Sequence, residues 1–92
     1  MIDCREAVEI VNQRGLHARA SAKFVNHVAA LPATVAVTVV KDGSEAAGGS
    51  ILGLMMLGAA KGDMIEISCS GDGAQGALAQ LAALVRDGFG ED

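Results

Sequence analysis

From Cys4 to Val11 the side chains alternate, with Cys4, Glu6, Val8 and Ile10 on one side and Arg5, Ala7, Glu9 and Val11 on the other. Successive side chains of an extended chain point to opposite faces, so this pattern predicts a strand. The period then changes. Between Ala18 and Leu31 the stripe Ser21, Phe24, Val25, Val28, Leu31 recurs at three- and four-residue steps, which predicts a helix buried along one side and ended by Pro32. Ala33 to Lys41 is rich in Val and Thr, and Asp42-Gly43 followed by Ser44-Glu45-Ala46 reads as a turn into a short second strand of a hairpin. Gly48-Gly49 interrupts the pattern before the apolar run Ser50 to Leu57, a short helix with Ser50 as its N-cap. Asp63 to Ser70 alternates again, with Ile65, Ile67 and Cys69 opposite Met64, Glu66, Ser68 and Ser70. Last comes a helical stripe of Leu78, Leu81, Ala82, Val85 and Phe89, after which Gly88 to Asp92 is expected to fray into an acidic tail.

The predicted order is βαββαβα. Too few helices separate the strands for all of them to be parallel, so a largely antiparallel four-stranded sheet with the helices on one face is expected, an α+β fold. At 92 residues the chain makes one domain, 1–92, with a single modest core. Its only aromatic residues are Phe24 and Phe89, so Val, Ile, Leu, Met and Ala must fill that core.

Charge narrows the function. The net charge is −4 and there is no Trp or Tyr, which leaves neither the basic footprint nor the stacking platform of a nucleic-acid binder. The longest apolar run, Ile51 to Ala60, is shorter than the roughly 20 residues a membrane-crossing helix needs. Met1 to Glu6 shows no basic region followed by an apolar stretch, so a cytoplasmic location is expected. Cys4 and Cys69 fall in separate strands without metal-ligand spacing and read as two plain thiols. No metal and no cofactor are expected. The charge is also uneven: no acidic residue occurs from Ile10 to Val40, while Arg14, Arg19 and Lys23 surround His17. An acidic protein therefore presents one basic face to an anionic group or partner.

That face holds the candidate chemistry. Asn12-Gln13-Arg14-Gly15-Leu16-His17-Ala18-Arg19-Ala20 brings a histidine and an arginine through a glycine turn to the start of a helix. The first N–H groups of a helix lack intrahelical partners and carry its positive dipole end, so an anion is held well there. Imidazole has an unprotonated nitrogen near neutral pH and can accept and release a phosphoryl group.

Asn12, Gly15-Leu16-His17-Ala18-Arg19 and, some thirty residues on, Ser50-Ile51-Leu52-Gly53-Leu54-Met55-Met56-Leu57 together resemble the HPr family, the histidine-containing phosphocarriers of the bacterial phosphotransferase system. The resemblance covers essentially the whole chain and implies that family's open-faced β-sandwich. It also implies that His17, through Nδ1, takes a phosphoryl group from an enzyme I-type donor charged by phosphoenolpyruvate and gives it to a IIA-type acceptor. Such a protein is a transfer intermediate rather than an enzyme, and a monomer. Arg19 and the backbone at Ala18 and Arg19 would hold the phosphate, with Asn12 and Gly15 shaping the loop. Ala20, Lys23, Ile51, Leu52 and Met55 would contact partners. Ser50 matches the position that a dedicated HPr kinase/phosphorylase modifies in some bacteria. Beside a phosphate there, the apolar patch would dock poorly. A serine before an apolar helix is equally explained as a cap. The ending Gly88-Phe89-Gly90-Glu91-Asp92 and the Gly49-Ser50-Ile51 context look more like the nitrogen-related branch than the sugar-uptake branch.

The family's usual proline after the arginine is Ala20 here. Proline is normally favoured in a first helical turn, and its loss costs about 0.4–1 kcal/mol through the unfolded chain. Two other readings stand beside the phosphocarrier. Gly71-Asp72-Gly73-Ala74-Gln75-Gly76 is formally a dinucleotide fingerprint, but the chain lacks the parallel strand and ribose-binding acid that must follow. The alternative is a non-enzymatic docking module whose partner binding is set by phosphorylation at His17 or Ser50. His27, ten positions from His17, reads as a surface residue.

Overall fold

In the computed structural model, which describes residues 3–91, seven elements follow the predicted order: β1 (Asp3–Glu9), α1 (Ala18–Ala29), β2 (Ala36–Lys41), β3 (Ser44–Ala47), α2 (Ile51–Met56), β4 (Met64–Ser70) and α3 (Ala74–Arg86). The strands form one antiparallel sheet in the order β1-β4-β2-β3. Alternation fixes which side is covered. Val8, Val37, Val39, Ala46, Ile65, Ile67 and Cys69 are all buried, and the registers Val8↔Ile65, Val39↔Ile67 and Val37↔Cys69 stack them on one face. A one-residue slip would turn every one of them to solvent, so the hydrophobic pattern itself specifies the register. Phe24 from α1, Leu54 from α2 and Leu81 and Val85 from α3 close the core from the helical side. The fold is α+β, an open-faced sandwich.

The boundaries move where backbone hydrogen bonds have better uses. The β1 ladder ends at Glu9 rather than Val11, because Ile10 exchanges bonds with Asp63 (2.8 Å) and Gly62 (2.7 Å) outside it. Helix α1 stops at Ala29 rather than Leu31: the Leu31 N–H donates only three residues back, to Val28 (3.1 Å), as the residue before a proline is pushed from helical geometry. Val35 N–H closes a turn on Pro32 C=O (3.0 Å), so β2 starts at Ala36 rather than Ala33. Asp42 and Gly43 both take positive φ, 50° and 82°, the two-residue turn whose twist suits a hairpin.

The chain end differs most from expectation. Phe89 is not on α3, and the segment does not fray. Gly88, Phe89 and Gly90 take successive left-handed conformations, φ 65°, 58° and 72°, forming a 3-10 turn that buries the Phe89 ring. Burial of an aromatic side chain offsets a backbone conformation that is costly for any residue but glycine. Asp92 lies outside the described residues.

The glycine-rich fingerprint is a structural turn. A Cβ on Gly71, at φ +99°, would lie 1.9 Å from the Thr34 carbonyl oxygen, and Gly73 caps α3 at φ 90°. Cys4 and Cys69 are free and stand directly opposite each other across β1 and β4. Burial pushes the Cys69 thiol up to about 11, with Cys4 adding to the shift, so it stays protonated near neutral pH. His27 is exposed.

Gly71→Ala is expected to lower stability by about 2–3 kcal/mol through backbone overlap and strain. Gly76→Ala, on α3 with open space around the new Cβ, is expected to raise it by about 0.5–1 kcal/mol. Urea denaturation of both variants beside the native chain checks this, and equal midpoints would contradict it.

Candidate functional site

The loop between β1 and α1 is built from the backbone outward. Gly15 has φ +63°, and a Cβ there would lie 2.2 Å from the Ala59 carbonyl oxygen; only glycine permits this approach. The same carbonyl accepts Leu16 N–H at 3.0 Å, and Leu16 is buried. Asn12, also buried, donates from Nδ2 to Gly15 C=O at 2.9 Å. Ser21 Oγ donates to Leu16 C=O at 3.2 Å. His17 is thus placed as the N-cap of α1 by groups that do not touch its ring.

The ring has a different partner on each nitrogen. Nδ1 accepts Arg19 N–H at 3.2 Å, and Nε2 lies 2.6 Å from Glu91 Oε2. An accepting Nδ1 carries a lone pair, so this pattern assigns the proton to Nε2, which donates to the carboxylate. Glu91 Oε1 accepts a second bond from Asn12 Nδ2 at 3.1 Å. Both amide hydrogens of Asn12 therefore point at acceptors, and its Oδ1 is left buried without a partner among the described residues. Burial disfavours the charged form of Glu91, but the hydrogen bonds from Asn12 and His17, with the nearby positive charge of Lys23, outweigh it and hold the carboxyl below its usual range. Lys23 Nζ donates to Phe89 C=O at 2.6 Å, fastening the same tail.

The helix end supplies donors. Ser21 N–H bonds His17 C=O at 2.9 Å, while the N–H groups of Ala18 and Ala20 have no partner among the described residues. Ala18 and Arg19 are exposed, and α1 has no acidic residue in its first turn. An unprotonated ring nitrogen can act as a nucleophile toward an electrophilic phosphorus, and the donor-rich helix N-terminus beside it can hold the oxygens attached to that phosphorus.

Not every expected contact residue is available. Ala20 is 0 % exposed; its methyl faces the core, so it offers a partner no surface. Lys23 is half-buried and engaged with the chain end. Arg14 is exposed. Leu54 in α2 and Leu57, its C-cap, are buried, while Ile51, Leu52, Met55 and Met56 stand out, Leu52 at 67 % and Met56 at 77 %. Ser50 caps this helix, its Oγ accepting Gly53 N–H at 2.9 Å. Glu91 was missed from sequence because no local spacing links it to a residue 74 positions earlier. Its only signals were its charge and the acid-free stretch around His17 that it complements.

Among the described residues no helix is long and apolar enough to cross a membrane. Comparison with known proteins agrees with the architecture. A family model described as the PTS HPr component phosphorylation site matches residues 4–87. The chain is 44% identical over 87 residues to phosphocarrier protein HPr of Neisseria meningitidis, covering 95% of this chain and 96% of the relative. It is 38% identical over 88 residues to phosphocarrier protein NPr of Escherichia coli K12, covering 96% and 97% respectively. The crystal structure of HPr-C-His from Thermoanaerobacter tengcongensis superposes with a TM-score of 0.89 at 34% identity, over 97% of this chain and 98% of that one. The family model, the relatives and the solved structure each match most of the chain, and the chain belongs to the HPr family of phosphocarrier proteins.

Proposed function

We propose that this chain, as one unit spanning 1–92, accepts a phosphoryl group on Nδ1 of His17 from a phosphorylated enzyme I-type protein and passes it to a IIA-type acceptor. The observation that carries this reading is the hydrogen-bond pattern of the ring: Nε2 faces a carboxylate, and the accepting nitrogen Nδ1 lies at the start of α1. In-line attack replaces the long 3.2 Å contact from Arg19 N–H with a bond to phosphorus. That N–H, with those of Ala18 and Ala20 and the Arg19 guanidinium, then faces the phosphoryl oxygens. Phosphoryl transfer gains most from positioning and from positive groups around those oxygens, which these residues provide. Departure to the acceptor reverses the step. The chain is then an intermediate carrier whose speed depends on its partners, working in the cytoplasm as a monomer.

The partner surface follows from burial. Helix α2 packs against α1, and its exposed Ile51, Leu52 and Met55, joined by Met56, form an adaptable apolar face near the histidine-bearing helix. Ser50 is the regulatory position in this reading. A phosphate on its Oγ would add about two negative charges next to that face, weakening docking while the helix dipole tolerates it. The exposed face also supports the second reading, a docking module in which phosphorylation sets affinity. Relatives named HPr and NPr both align along nearly the whole chain.

Incubation with phosphoenolpyruvate and an enzyme I-type protein is expected to add one phosphate by intact mass, labile to acid and stable to base. His17→Ala is expected to remain folded and unlabelled; full labelling of that variant would overturn the assignment. Ser50→Asp is expected to weaken binding to the donor about tenfold, near 1.4 kcal/mol. Titration calorimetry reads this directly, and unchanged affinity would remove Ser50 from the docking surface.

A further inference from the structure

We infer that Glu91 is a positioning residue for His17: through the hydrogen bond to Nε2 it keeps the ring proton on that nitrogen and supports the positive charge that the ring acquires when Nδ1 bonds to phosphorus. The inference rests on the reading of His17 as phosphoryl acceptor and adds to it a residue from the far end of the chain.

Three observations converge on this role. The first is the contact itself, 2.6 Å between Nε2 and Oε2, with both side chains largely shielded from solvent. The second is that Glu91 is oriented independently of His17. Its other oxygen is held by Asn12, and Asn12 is held by Gly15, so the loop that places the imidazole backbone also places the carboxylate. The third is the construction of the tail. Three successive left-handed residues, a buried Phe89 ring and the Lys23 bond to Phe89 C=O turn the chain back toward the histidine.

The chemistry follows from atom placement. When Nδ1 attacks phosphorus, the bond from phosphorus to the leaving group breaks and the departing group takes that electron pair. The ring keeps its Nε2 proton and becomes a phosphoimidazolium, with positive charge shared between the two nitrogens. Glu91 faces Nε2, away from the incoming group, so it meets that charge without obstructing the phosphoryl oxygens. A carboxylate that orients an imidazole and stabilises its cationic form works in the same way when a histidine acts as a base. Here the ring acts as nucleophile.

The test uses the full chain and phosphoramidate, a small donor that needs no docking partner and releases ammonia as its P–N bond breaks. Glu91→Gln keeps an acceptor atom but removes the charge; Glu91→Ala removes both. Both variants are expected to unfold at a temperature close to that of the native chain. Their second-order rate constants for phosphorylation of His17 are expected to fall about tenfold, the lower end of what loss of a histidine-orienting carboxylate costs. In proton and nitrogen NMR, the native chain is expected to show a strongly downfield Nε2-bound proton. That proton should move upfield in Glu91→Gln and exchange rapidly with water in Glu91→Ala. A merely structural tail contact would move the ring signal but leave the rate unchanged. Rate constants within twofold of native, or an unchanged ring proton, would overturn the role of Glu91. No labelling of the native chain would instead overturn His17 as acceptor, so the two failures are distinct.

Discussion

A single close approach of backbones sets the geometry of the active end of the molecule. Gly15 and Leu16 lie against Ala59 so closely that no side chain fits at Gly15, and the same Ala59 carbonyl accepts Leu16 N–H. This joins the β1–α1 loop to the connection between α2 and β4. The start of α1, where His17 caps the helix, and the end of α2, which carries the apolar face, are therefore registered against each other. A substitution that pushed these backbones apart would change the angle at which His17 is presented. In the proposed function it would also change the distance between Nδ1 of His17 and the apolar face of α2, and group transfer is highly sensitive to such displacements.

In the proposed function, chemistry and recognition divide between neighbouring helices with different demands. Helix α1 spends its apolar side on the core through Ala20, Ser21 and Phe24, and keeps its N-terminus for an anion. Helix α2 is only six residues long and buries Leu54 while exposing most of its other apolar side chains. Ile51, Leu52, Met55 and Met56 thus leave the short helix with more apolar surface than its own packing uses, which flexible methionines can fit to partners of differing shape.

Much of this was legible in the sequence because it is written in local periods. Alternation in the strands and the Phe24 and Leu81 stripes gave the elements, and Asp42-Gly43 gave the hairpin. The positions of His17 and of the Ser50 cap followed from the same local signals. What could not be read came from contacts between distant residues. The burial of Ala20 depends on how α1 lies on the sheet, and the pairing of Cys4 with Cys69 depends on which strands become neighbours. The ordered tail is the clearest case. Phe89 continues a helical spacing, so pattern alone extends the helix, whereas three left-handed residues carry its ring into the core by another route. Glu91 follows that turn and could not be located without it.

That return of the tail has a consequence for how the molecule is made. In the sheet β4 lies between β1 and β2, so neither of them completes its pairing before β4 is made, and the ring of His17 meets its carboxylate only after Glu91 has been added. On the ribosome His17 is synthesised 74 residues before the carboxylate that completes its environment. Contacts of such high sequence separation form late, because the intervening loop must be closed first. A nascent chain can therefore hold the histidine motif intact in sequence yet lack its Glu91 partner, so the environment of the ring is complete only once the segment that carries Glu91 has been made and has folded back.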